Sequence, residues 1–203
     1  MEPEKVTVLD RKKEIIGDFV SMNKIIQDDI DKVEADIYIQ THSTNPLLKT
    51  SSVDKAIEKI IFTGSGNTFA AGANLIEVSQ LNENTAVDFG LRGQRLMQKI
   101  YNSEKDTVAA IDGFCMGGAL DLAISCDTRI ASPDSFFAHP GAKLGIITGW
   151  GGTQILPRLI GRKRALEMFL TARRIGTRDA LEMGLIDEVS PNPLAKALEK
   201  APQ

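Results

Sequence analysis

No stretch of this chain reaches the roughly 20 consecutive apolar residues that span a bilayer, so no membrane partner is expected. The opening, MEPEKVTVLDRKKE, lacks the apolar core of a secretory signal. Cysteine is scarce. Cys115 and Cys126 form neither a disulfide framework nor a metal-ligand spacing, and they read as reduced thiols of a cytoplasmic protein. Histidine is scarcer still. His42 and His139 have no ligand spacing with the cysteines, so no metal is expected. Positive charge is not in excess: 24 basic residues stand against 27 acidic ones, a net charge of −3. That balance disfavours a nucleic-acid partner. Nucleotide fingerprints are missing too, because GSGNTFAAG lacks the GxGxxG order and no GxxxxGK[ST] occurs. What remains is 203 residues with 42% hydrophobic side chains, enough for a sizeable core without cross-links.

The first 55 residues are polar. Val6–Leu9 reads as a short strand. Met22–Ile37 has apolar residues at helical spacing, and 41–52 is rich in turn formers. His42 reads there as a solvated residue. From Ile57 the signal sharpens. Ile57–Phe62 is an apolar run stopped at Gly64, and residues 86–101 carry a helical stripe. Residues 107–113 and 128–132 read as strands, as does 135–140. Residues 114–127 read as a helix entered through Gly117-Gly118, and 141–152 as a loop with five glycines. Beyond 153 the chain reads as helices, interrupted by a short strand at 185–190. This alternation predicts an α/β fold with parallel strands.

A glycine pair opening a helix has a chemical use. It lets a ligand approach the backbone, and free N–H groups at a helix start favour negative charge. Gly118 is thus a candidate donor to an oxyanion, with Ala73 of FAAGA as a second. Tight turns and close helix–strand packing explain the same glycines.

The blocks KIIFTGSGNTFAAGANL (59–75), TVAAIDGFCMGGALDLAISCDTRIAS (107–132) and FFAHPGAKLGIITGWGGTQILPRLIG with its continuation to Ser190 resemble the enoyl-CoA hydratase/isomerase (crotonase) family. The resemblance covers 57–190, in family order. It implies a crotonase-like (ClpP/crotonase) spiral of β-β-α repeats with a short C-terminal helical region. It implies a core over 1–190, with 1–55 diverging from the family opening. A short helix would then occupy 191–203, where the family's trimerisation helices are missing. A homo-oligomer, trimer or hexamer, is the family expectation. The substrate implied is an acyl-CoA thioester, with coenzyme A part of the substrate and no separate cofactor.

By motif, Ala73 and Gly118 would form the oxyanion hole. Ala71, Gly72, Gly117, Gly141 and Trp150 would line the substrate site. The family's first glutamate falls at Asp121 and its second at Gly141, which has no side chain. His139, two residues earlier, would share a strand face with 141 and offers a replacement proton carrier near neutral pH. Each has a plainer reading: Asp121 favouring the helix dipole, His139 bonding the turn at Pro140, Lys143 and the later arginines lying on the surface, Asp127 capping a turn. Asn74 and Ile76 depart from the family's coenzyme A contacts.

Three functions follow. The first is an acyl-CoA lyase or isomerase with Asp121 as main acid/base. The second is a non-catalytic acyl-CoA binder. The third is a thioester or peptide hydrolase, because Cys115 precedes Met116-Gly117 and His139 lies 24 residues on, a spacing similar to the Clp-type serine proteases. Against the third, a small buried hydrophobe is the ordinary role of such a cysteine.

Overall fold

The computed structural model describes residues 38–40 and 59–199. The strand at 6–9, the helix at 22–37, the loop at 41–52 and His42 lie outside the described residues.

The strands are β1 (Tyr38–Gln40), β2 (Lys59–Thr63), β3 (Thr68–Ala70), β4 (Asp106–Ile111), β5 (Phe114–Met116), β6 (Thr128–Ala131), β7 (Phe136–Ala138), β8 (Ile175–Gly176) and β9 (Glu188–Val189). The helices are α1 (Leu75–Ser79), α2 (Glu83–Tyr101), α3 (Gly118–Ser125), α4 (Gly152–Ile160), α5 (Arg162–Thr171), α6 (Thr177–Glu182) and α7 (Pro193–Glu199).

Two sheets form. The larger runs β1-β2-β4-β6-β9, all parallel. The smaller runs β3-β5-β7-β8, parallel except for β8. The pairs β2/β3, β4/β5 and β6/β7 each send their first strand to the larger sheet and their second to the smaller one. Helices follow each pair, which makes a β-β-α spiral. The step between sheets is sharp. Gly113 turns β4 into β5 at φ +71°, and a Cβ there would lie 1.8 Å from the Asn67 carbonyl oxygen. Only glycine fits that turn.

Parallel strands buried on both faces read as continuous apolar runs. In β4, Val108 and Ala110 point to one core with Ile61, Ile130 and Ala197 of α7, while Ala109 and Ile111 point to the main core. The main core also holds Phe62, Phe69, Phe137, Leu120, Leu156 and Trp150. The terminal helix α7 thus covers one face of the larger sheet. No described helix is long and apolar enough to cross a membrane.

Several boundaries differ from the sequence reading. Residues 114–116 are a strand, because Phe114–Met116 pairs with Phe136–Ala138, and only Gly118 begins the helix. The glycine-rich stretch opens with a 3-10 turn, Pro140–Leu144, ended by Gly145 at φ +70°. The strand read at 135–140 stops at Ala138, so His139 caps that turn instead of continuing the strand. The strand read at 185–190 shrinks to Glu188–Val189; the other strands and helices beyond Lys59 fall where periodicity puts them, with the short β3, α1 and β8 in addition.

Candidate active site

Three parallel neighbours, β3, β5 and β7, end side by side. Their carboxyl ends deliver three sequence blocks to one place: Ala71-Gly72-Ala73 after β3, Gly117-Gly118 after β5, and His139-Pro140-Gly141 after β7. The N–H of Gly117 donates to the Ala138 carbonyl at 2.9 Å, which ties two of them together. The third is as close. A Cβ at Gly72, where φ is +102°, would lie 2.8 Å from the Met116 carbonyl oxygen and 3.2 Å from the Gly118 nitrogen. The Ala71-Gly72-Ala73 backbone thus abuts the start of α3. Crevices beyond strand carboxyl ends are the usual ligand sites of parallel sheets.

A cavity of about 370 Å³ opens there. Ala71, Gly72, Ala73, Gly117, Gly118, Asp121, His139, Gly141 and Trp150 all line it, so every residue singled out for the acyl-CoA site converges on one space. The rest of the wall is mostly apolar, including Leu75, Val78, Phe89, Ile147 and Phe169.

Asp121 lies in the first turn of α3 and is 1% exposed. Its Oδ2 accepts a hydrogen bond from the Thr148 hydroxyl. Its Oδ1 faces Nε2 of His139 at 3.4 Å. Among the described residues, neither of those two atoms has a hydrogen-bond partner. Two unpaired buried polar atoms at a cavity wall are places for a water or a polar substrate atom. The imidazole also packs against Phe169, ring centroids 4.9 Å apart. His139 reaches Asp121 from the cap of the 3-10 turn, not through the strand alternation that the sequence suggested.

Burial pushes the Asp121 carboxyl up to about 7, against the pull of the Thr148 hydrogen bond. Burial lowers His139 to about 4. His139 is therefore neutral at pH 7, and its 3.4 Å approach to Asp121 is not an ion pair.

These two shifts give opposite stability slopes. The raised Asp121 favours the fold when protonated, a contribution present below its ordinary value near 3.8 and lost as pH rises through about 7. The lowered His139 favours the fold when neutral, a contribution present above 6.5 and lost as pH falls through about 4. At 1.36 kcal/mol per unit the two amount to roughly 4 and 3 kcal/mol. They offset each other between about pH 4 and 6.5. Chemical denaturation across that window should show stability rising with pH in Asp121→Asn and falling with pH in His139→Gln. Parallel profiles in the two variants would refute the assignment.

Cys115 does not line the cavity. It is buried in β5, and burial pushes its thiol well above the ordinary value. A thiolate nucleophile paired with His139 is incompatible with that setting, so the cysteine hydrolase is corrected to a core residue. Asp127 accepts from the Thr107 N–H at 2.8 Å and from its hydroxyl at 2.6 Å, the structural role expected of it. Asn74 caps α1, accepting from the Ile76 N–H, and the Ile76 side chain is exposed. Arg173 and Arg178 pair with Glu167 and Glu182 on the surface. Sequence reasoning missed Thr148, Phe89 and Phe169, which the fold brings from three separate segments.

Comparison with known proteins gives the same picture. The family model described as enoyl-CoA hydratase/isomerase matches residues 41–201. A crotonyl-CoA hydratase of Syntrophomonas wolfei is 40% identical over 149 residues, 72% of this chain and 57% of that protein. A short-chain-enoyl-CoA hydratase of Clostridium acetobutylicum is 39% identical over 137 residues, 67% of this chain and 52% of that protein. The crystal structure of an enoyl-CoA hydratase from Bacillus anthracis superposes with a TM-score of 0.69 at 37% identity, covering 72% of this chain and 58% of that one. The chain thus spans little more than half the length of these relatives. Its α/β spiral is the crotonase fold, and the chain belongs to the enoyl-CoA hydratase/isomerase family.

Proposed function

We propose that this protein adds water to an α,β-unsaturated acyl-CoA thioester, with Asp121 as acid/base. The observation that carries the reading is a buried carboxyl poised near neutrality, with one oxygen unpaired, at the wall of an apolar cavity beside Gly118. A general acid/base works best with a pKa near the operating pH.

The thioester oxygen sits between the backbone N–H groups of Ala73 and Gly118. The ionised Asp121 takes a proton from water as the water oxygen bonds to the β-carbon. Electrons move to the thioester oxygen, and the two N–H groups hold the resulting enolate. Such donors contribute about 3–4 kcal/mol each where measured, because they are aimed before charge develops. Asp121 then returns its proton to the α-carbon and is ionised again. Neutral His139 supplies Nε2 as the second polar partner for the water. The names of the relatives in Syntrophomonas wolfei and Clostridium acetobutylicum support hydration.

Gly141 favours a second reading, migration of the double bond. That reaction needs one base, and no carboxylate is available at the position where the family resemblance places a second glutamate.

Mass spectrometry of crotonyl-CoA and longer enoyl-CoAs incubated with the protein in D₂O separates these readings. Addition of D₂O is the expected result. Deuterium uptake with a shifted double bond and no added water would replace hydration by isomerisation. Release of free coenzyme A, or binding with no product at all, would overturn both.

A further inference from the structure

We propose that Thr148 is a positioning residue for Asp121: its hydroxyl holds one carboxylate oxygen, Oδ2, and so fixes the other, Oδ1, towards His139 and the cavity. The proposal rests on the acid/base reading of Asp121.

A carboxylate turns about its last side-chain bond between two nearly equivalent states. Nothing in α3 itself selects which oxygen faces the cavity. Thr148 does, because its hydroxyl donates to Oδ2, and the Trp150 N–H approaches the same hydroxyl oxygen at 3.5 Å. The hydroxyl hydrogen is thus directed at the carboxylate. The other side is kept open by Gly152, the first residue of α4, where a Cβ would lie 2.0 Å from Oδ1. Thr148 is held in turn by its neighbours. Trp150 is buried in the main core, and the Gly149 carbonyl accepts from the Gln94 side chain of α2 at 2.8 Å.

The titratable groups facing this carboxylate are His139, from the end of β7, and Cys115, from β5. Both are uncharged at neutral pH. From α4 it meets Gly152, and Gly93 of α2 lies behind Trp150. Among the described residues, the Thr148 hydroxyl is therefore the group that favours the ionised carboxylate against its burial. Its loss both frees the carboxylate to turn and makes ionisation harder. Misplacing a reacting group by about 1 Å costs up to about a hundredfold in rate.

The test compares Thr148→Val, which keeps the shape, with Thr148→Ser, which keeps the hydroxyl, in the full chain with crotonyl-CoA. Thr148→Val should move the acidic limb of the kcat profile upward by about one unit or more, as loss of a hydrogen bond to a charged group implies. It should lower kcat at pH 7 by about tenfold or more and change KM little. Thr148→Ser should restore both. A limb unmoved in Thr148→Val, or a serine variant no better than valine, would overturn the proposal. Asp121→Asn, run alongside, separates the two failures. If it keeps full turnover, the acid/base reading falls. If it is inactive while Thr148→Val behaves as the parent, only the role of Thr148 falls. Carboxyl NMR titration of Asp121, its signal identified by its absence in Asp121→Asn, reads the same upward shift without turnover.

Discussion

Asp121→Asn is expected to lower kcat by about 10²- to 10⁴-fold, the usual contribution of a positioned acid/base. The amide has nearly the shape of the carboxylate, so its oxygen can still accept from Thr148. The cavity wall and the backbone of Gly118 are untouched. Acyl-CoA binding should therefore persist, and single-turnover mass spectrometry beside calorimetric titration would show it. The same substitution should make the protein more stable above about pH 7. There the parent carries a buried charge that it would rather not hold, whereas the amide carries none. Activity falling while stability rises is the signature of a strained functional group. Equal losses of both would mean that Asp121 serves the fold alone.

Trp150→Ala carries the other large effect. The indole lies between two helices, where a Cβ at Gly93 would come within 2.1 Å of its Nε1 and one at Gly118 within 2.5 Å of its six-membered ring. Phe89 packs on it at 5.3 Å between centroids. Removing so large a buried side chain should cost about 3–5 kcal/mol. Gly93→Ala should cost about 1–3 kcal/mol by overpacking the same slot. Combined, the two should cost clearly less than their separate losses, because each relieves the defect the other creates. Urea denaturation of the four proteins measures this directly. Strict additivity would place the indole elsewhere.

Much of this was legible from residues alone. The strands β2, β4 and β6 are apolar runs bounded by turn formers, and α2 and α5 carry clear stripes. The blocks that line the cavity were legible too, because a glycine pair followed by a carboxylate is a compact local signal. The strand at 114–116 was not. Its three residues run straight into a helical pattern, and only pairing with β3 and β7 reveals it. Thr148 was invisible for a different reason. A threonine in a glycine-rich loop has no period and no spacing, and its partner is 27 residues away. Gly93 gives no signal of its own within the helical stripe of 86–101. Its purpose becomes clear only when Trp150 arrives from a distant loop. His139 was found on an argument about strand faces that the structure does not bear out. It reaches Asp121 because the chain turns at Pro140.

The turn at Gly141 also limits what this position can carry. The Ile146 N–H donates to the Gly141 carbonyl at 3.0 Å, and a Cβ at Gly141 would lie 2.5 Å from the Ile146 carbonyl oxygen. A glutamate placed there meets a closed backbone, not an empty slot. A two-carboxylate site would therefore require the loop from Gly145 to Thr148 to loosen before a side chain at 141 can be tolerated. That same loop carries the threonine that steadies Asp121, so each step towards the second carboxylate loosens the hold on the first.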